Sequence, residues 1–203
     1  TGRGRTGLRM TSLMRSKILT AVKQFFADVP PEATIGVAVS GGSDSVAMLL
    51  ALREALPVAK LRAATVNHGL RAEAAAEARW VKALCLSLGI AHDILPVRDL
   101  APGSNLQARA RMVRYDALAA WGPECNQLCL GHSQTDLAGT FLIRLARGSG
   151  VDGLCAMQAR WQDRAIDWAR PLLAFSRADL RVYLGECGQS WCDDPSNDDP
   201  AYT

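Results

Sequence analysis

Apolar residues recur along the chain with two alternating periods, and the alternation predicts the architecture. Ile18, Leu19, Val22, Phe25 and Phe26 fall at helical spacing, predicting an amphipathic helix over 13–26 that Pro30-Pro31 closes. Strand-like runs follow at 34–39, 61–66, 93–97 and 127–130, separated by helical patterns at 43–56, 72–88, 105–121 and 134–147. Four strand–helix units in series predict an α/β fold: a doubly wound, mainly parallel sheet with helices on both faces. Beyond 147 the pattern weakens. Gly148-Ser149-Gly150 and Gly153 mark a turn, 161–173 reads as a short hairpin or edge strand, and 176–186 reads as a helix. Ser176 is its expected N-cap, with Asp179 completing a capping box. The segment 191–200 is polar and rich in turn residues.

Ligands of such sheets bind beyond the carboxyl ends of the strands, beside the point where strand order reverses. Three polar clusters lie at strand ends: Ser40-Gly41-Gly42-Ser43-Asp44-Ser45, Asn67-His68-Gly69-Leu70-Arg71, and Gly131-His132-Ser133-Gln134-Thr135-Asp136. They are expected to open on one rim and to form one site.

At 203 residues, against roughly 150 per domain, one domain with appendages is expected. No uninterrupted apolar stretch approaches the ~20 residues of a membrane span, so a cytoplasmic protein without a membrane partner is expected. The formal charge of +3 is unevenly placed. Residues 1–27 hold six basic residues and no acid, which leaves 17 basic and 20 acidic residues in the remainder. Residues 1–11 therefore read as a basic flexible tail, or one that touches RNA phosphates, and 12–203 as the folded domain. The six cysteines, at 85, 125, 129, 155, 187 and 192, form no C-x-x-C pair and read as reduced thiols. Oligomeric state is not legible in the sequence, a homodimer being the assembly considered.

The first cluster, between Ile35-Gly36-Val37-Ala38-Val39 and Val46-Ala47-Met48-Leu49-Leu50, reads as a phosphate cradle. A strand that stops at two glycines and restarts as a helix leaves backbone N–H groups free where the helix dipole favours negative charge. The serine hydroxyls add donors, and the Asp44 carboxylate suits a Mg²⁺ carried by a nucleotide. The loop lacks the Gly-Lys-Ser/Thr ending of a Walker A motif and the third glycine of a dinucleotide fingerprint. It resembles the SGGxDS signature of the PP-loop ATP pyrophosphatases, which split ATP between the α and β phosphates and use the AMP half to activate a carbonyl oxygen.

Further blocks narrow the resemblance. Val66-Asn67-His68-Gly69-Leu70-Arg71 resembles VDHGLR, 105–115 resembles NxExxARxxRY, and 131–153 resembles GHxxDDxxET…RGSGxDGL. Arg170-Pro171-Leu172-Leu173, Ser176-Arg177 and 191–197 fit the same pattern. Over about residues 18–203 the chain resembles the tRNA(Ile)-lysidine synthetase family, whose members convert the wobble cytidine of an isoleucine tRNA to lysidine. The resemblance implies an adenine nucleotide alpha hydrolase-like PP-loop domain that uses ATP and Mg²⁺, with tRNA(Ile) bearing a CAU anticodon and free L-lysine as partners. It implies that Ser40, Gly41, Gly42, Ser43, Asp44 and Ser45 hold the phosphates, with Asp44 toward the metal, and that Asn67, His68, Gly69, Gly131 and His132 border the adenylate. Arg111 and Arg114, three apart on one helix face, would meet tRNA or the lysine carboxylate, and Asp136 would hold the lysine ammonium or a second metal contact. Tyr115 and His92 read as structural. The resemblance also implies an N-terminal catalytic part from which C-terminal tRNA-binding domains are absent.

Four positions depart from the pattern, and each loses an acid: Asn67, Gln107, Thr135 and Gly139. A cationic lysine and Mg²⁺ both require negative charge nearby, so the departures predict a weakened or altered second half-reaction with ATP binding retained. The alternatives are a PP-loop enzyme that adenylates another substrate and a nucleotide-binding module that has lost catalysis.

Overall fold

The computed structural model describes residues 5–57, 59–67, 74–97, 106–146 and 157–192, the side chains of 5–12 and 106–107 excepted. Its elements are α1 (Arg5–Phe25), β1 (Thr34–Ala38), α2 (Ser43–Ala55), β2 (Lys60–Asn67), α3 (Ala74–Ser87), β3 (Ala91–Pro96), α4 (Leu106–Trp121), β4 (Gln127–Leu130), α5 (Gln134–Ala146), β5 (Arg160–Asp163), β6 (Ile166–Ala169) and α6 (Arg177–Glu186). The expected strand–helix alternation is present, and α1 starts upstream of the apolar spacing that announced it.

The six strands form one sheet in the order β3-β2-β1-β4-β6-β5. All neighbours run parallel except the edge strand β5, which pairs antiparallel with β6. The chain passes from β1 to β2 and β3 on one side and then crosses to β4 on the other, so strand order reverses between β1 and β4. The rim above these two strands is where a ligand crevice is expected.

Helices α1, α2 and α6 pack on one another, and with Val81, Leu84 and Cys85 of α3 they bury one face of the sheet. The first two turns of helix α2 are enclosed on all sides, with Val46, Ala47, Met48 and Leu49 fully buried, and Ala51 and Leu52 continue the buried face. A helix surrounded in this way needs no polar stripe. The opposite face is covered by α4, whose Tyr115 and Leu118 pack with Leu128, Leu130, Ile166 and Trp168. Tyr115 is therefore a core residue, its ring 5.0 Å from that of Trp168. His92 is also structural, its Nε2 2.8 Å from Thr65 Oγ1.

The hairpin expected after 161 is β5–β6. Its turn places Arg164 and Ala165 at φ 52° and 57°, the mirror-image geometry that suits right-twisted strands. No glycine announces this turn. The Arg164 side chain is held by Asp116 at 2.7 Å and by Asp163, which ties the hairpin to α4.

The capping box of α6 is reciprocal. Asp179 N–H donates to Ser176 Oγ at 3.2 Å, and Ser176 N–H donates to Asp179 Oδ2 at 2.9 Å. Replacing Ser176 by alanine removes one of these bonds and is expected to lower unfolding free energy by about 1 kcal/mol. Urea denaturation checks this, with Val182→Ala on the exposed part of the same helix as the near-neutral control.

Candidate functional site

The loop between β1 and α2 is stitched by one hydroxyl. Ser45 Oγ accepts from the N–H groups of Ser40 and Gly41, each at 3.2 Å, and donates to Gly42 O at 2.9 Å. Gly41 sits at φ +99°, which a side chain would strain. Val46 N–H makes the first turn bond of α2, to Gly42 O at 3.1 Å. The preceding N–H groups, on Ser43, Asp44 and Ser45, have no acceptor among the described residues. Three aligned donors at a helix N-terminus form an anion site.

The end of β4 closes onto this turn. A Cβ on Gly131 would lie 2.7 Å from Ser45 Cα and 2.9 Å from Ser45 N. Only a residue without a side chain lets the strand end come so near the loop. A cavity of about 470 Å³ opens between the two strand ends, lined by Ser40, Gly42, Ser45, Thr65, Arg114, Gly131, His132 and Cys192 among others. Its volume lies within the range of ligand pockets.

The two acids singled out by sequence meet through a third residue. Arg177, first residue of α6, places Nε 3.4 Å from Asp44 Oδ2 and an Nη 3.1 Å from Asp136 Oδ1. Asp44 also accepts from Ser43 Oγ at 2.9 Å. Asp136 Oδ2 accepts from the N–H and Oγ of Ser133 at 2.8 and 3.0 Å, so this carboxylate also caps α5. The N-termini of α5 and α6 exchange bonds as well: Gln134 N–H donates to Phe175 O at 2.7 Å, and Arg177 N–H donates to Thr135 Oγ1 at 3.1 Å. Two carboxylates facing one guanidinium leave a net charge of −1 beside the loop.

Ser40, Gly42, Ser45, Arg114, Gly131 and His132 thus share one cavity, whereas Gly41, Ser43 and Asp44 build the loop behind it. Arg114 is half-buried, and burial lowers its pKa from the ordinary arginine value. Arg111 faces elsewhere, onto a second cavity with Tyr115, Trp161, Arg164 and Arg170. Asn67 ends β2, where its carbonyl accepts from Val97 N–H at 2.9 Å. His68 and Gly69 lie outside the described residues.

Arg177 and Arg170 also stand at the site, within the Ser176-Arg177 and Arg170-Pro171-Leu172-Leu173 blocks, whose sequence pattern gives neither side chain a role. Arg170 is 7% exposed, and a buried cation signals a specific partner. Cys192 joins the cavity because its N–H donates to Gly41 O at 2.9 Å, a contact that spacing could not reveal. Among the described residues no helix is long and apolar enough to cross a membrane.

Comparison with known proteins gives the family and the fold. A family model described as a PP-loop domain matches residues 14–203. The chain is 39% identical over 205 residues to a tRNA(Ile)-lysidine synthase of Zymomonas mobilis, covering 95% of this chain and 62% of that protein. It is 45% identical over 181 residues to one of Hyphomonas neptunium, covering 84% and 48%. The chain therefore spans less than two thirds of these relatives. Among solved structures, the U34-tRNA thiolase NcsA from Methanococcus maripaludis superposes with a TM-score of 0.77 at 20% identity, covering 95% of this chain and 69% of that one. An NH3-dependent NAD synthetase from Campylobacter jejuni gives 0.58 at 12% identity, covering 88% and 73%. At these identities the two structures share the fold.

The close approach of β4 to the loop generates a paired prediction. Gly131→Ala should destabilise by about 1–3 kcal/mol through overpacking. Gly139→Ala, in α5 with open space around the new methyl, should stabilise by up to about 1 kcal/mol through helix propensity. Denaturant midpoints of the two variants read both effects.

Proposed function

The chain belongs to the PP-loop domain family, and we propose that it is the ATP-consuming part of a tRNA(Ile)-lysidine synthase. The observation that carries this reading is the row of N–H groups at Ser43, Asp44 and Ser45, without an acceptor among the described residues, beside the Gly131–His132 strand end. It gains its substrate from the two lysidine synthases to which the chain is similar.

In the first half-reaction the C2 carbonyl oxygen of the wobble cytidine attacks the α-phosphorus of ATP. The bond to the bridging oxygen breaks and pyrophosphate leaves, so the cytidine carries AMP on its former carbonyl oxygen. In the second, the neutral amine of free lysine attacks C2, the C2–O bond breaks, and AMP departs with the oxygen. Cytosine O2 alone is a poor leaving group, and adenylation makes it a good one. Charge develops on phosphate oxygens in both steps, which is where the loop N–H groups, Arg114 and the His132 imidazole act.

Among the described residues no three His, Cys, Asp or Glu side chains cluster as a metal site. A Mg²⁺ that arrives on the nucleotide needs only one or two protein carboxylates. Asp44 fits, since its partners Ser43 and Arg177 leave lone pairs unused. The ion supplies neutralisation of phosphate charge. The net −1 of Asp44, Asp136 and Arg177 gives the lysine ammonium a place to approach, with Asp136 as its acid.

The positions that lost acids also acquire a physical description. Thr135 caps the first N–H of α6, a bond an aspartate oxygen could equally accept. A side chain at Gly139 would enter open space.

In the full-length protein, pyrophosphate release from ATP is expected to require both the isoleucine tRNA and lysine. Release with another acceptor supports a PP-loop enzyme of different specificity, and ATP binding without turnover supports a module that has lost catalysis. Asp44→Asn should lower turnover by about 10²-fold. Thr135→Asp combined with Gly139→Glu should raise lysine-dependent turnover by roughly tenfold, the equivalent of ~1.4 kcal/mol in the barrier; unchanged turnover would show that the missing acids do not limit the second step.

A further inference from the structure

His132 stands one residue beyond Gly131 on the wall of the loop cavity. Its Nδ1 lies 3.0 Å from Nε of Arg170. The pairing of Cys129 in β4 with Ala169 in β6 brings these two strand ends side by side. An arginine Nε carries a hydrogen and offers no lone pair, so the imidazole nitrogen is the acceptor. A neutral histidine has one acceptor and one donor nitrogen. With Nδ1 accepting, the ring proton must sit on Nε2.

Nε2 makes no hydrogen bond to the described protein, and it is not among the sealed polar atoms that lack partners. It is therefore open to a ligand, and the loop cavity is the space that His132 borders.

Arg170 is itself fixed from three directions. Its backbone N–H donates to Ala159 O at 2.8 Å, and an Nη donates to Gln158 O at 2.7 Å. The guanidinium carbon lies 3.7 Å from the centre of the Trp161 ring, which stacks on Trp168. A guanidinium held in this way has little rotational freedom, so the direction of its Nε–H is set by the fold.

We infer that Arg170 is a positioning residue that holds His132 in the Nε2–H tautomer and directs this N–H into the loop cavity, making His132 a hydrogen-bond donor to a phosphate oxygen of the nucleotide or adenylate. The inference rests on reading the cavity as the ATP site. A general base at this position would need a free nitrogen lone pair facing the substrate, and the imidazole lone pair is already directed at Arg170. The surroundings agree. Burial, and then the charge of Arg170, push the imidazole pKa down to about 4; Arg114 and Arg111 act in the same direction and Asp136 opposes them. The lowered pKa favours the neutral imidazole that the Nε2–H tautomer requires.

The test uses the full-length protein labelled with ¹⁵N-histidine, with His132 identified by the signal lost in His132→Gln. Nitrogen-detected spectra of the nucleotide-free protein should show Nε2 protonated, Nδ1 unprotonated and no titration between pH 5 and 8. In Arg170→Met the ring should exchange tautomers and titrate nearer the ordinary value of about 6.5, adding an acid limb to the pH profile of pyrophosphate release. His132→Gln, which keeps an N–H donor, should retain more activity than His132→Ala, for which a loss of about 10²-fold is expected. A wild-type His132 protonated on Nδ1, or titrating between pH 5 and 8, overturns the inference, and the wild-type spectrum decides this even if Arg170→Met does not fold. Failure of the wild-type protein to bind ATP in calorimetry would instead remove the ATP reading and leave the tautomer assignment in place.

Discussion

The contact on which the site depends is the approach of Gly131 to the first turn of α2, where a single added carbon would fall 2.7 Å from Ser45 Cα. The approach follows from topology. Parallel pairing of β1 with β4 sets their carboxyl ends side by side at the point where strand order reverses. The segment leaving β1 becomes the serine-glycine loop, and the segment leaving β4 becomes the His132 wall. Because α2 is enclosed by α1, α6 and the sheet, its N-terminal donors are held on a rigid element. Preorganised donors stabilise developing charge without reorganising when it appears.

Around this core the charges form two linked sets. On one side, Arg177 draws Asp44 and Asp136 together and ties the N-termini of α5 and α6 to the loop. On the other, Arg170 and Arg114 border His132, and burial keeps its imidazole neutral. Arg114, His132 and the loop donors thus line one part of the cavity and Glu77 another, while the acid pair stands beside it with one arginine between two carboxylates. Arginine suits both bridging roles, since its planar fork fixes direction as well as charge.

Much of the fold was legible because its signals are local. Strand–helix alternation, the Pro30-Pro31 stop and the Ser176 cap each depend on a few neighbouring residues, and the structure contains the elements they announce. The loop was legible for the same reason. The bridging arginines were not, because their meaning arises from long-range contacts: Arg177 meets Asp44 across 133 residues of chain, and Arg170 meets His132 across 38. The β5–β6 hairpin was legible but the place of its turn was not, because Arg164 and Ala165 adopt a conformation that glycine or asparagine ordinarily signals. The Arg164 side chain pairs with Asp116 and Asp163, contacts that the local sequence pattern does not announce. Arg111 and Arg114 read as one face of a helix, yet the fold sends them to different cavities, a division that spacing alone could not show.

The central claim is that nucleotide phosphates sit on the N–H groups of Ser43, Asp44 and Ser45. A crystal structure of the full-length protein with a non-hydrolysable ATP analogue tests it most directly. Phosphate oxygens are expected within hydrogen-bonding distance of those three nitrogens and of His132 Nε2, with Gly131 against the loop. A nucleotide whose phosphates lie away from this turn would contradict it.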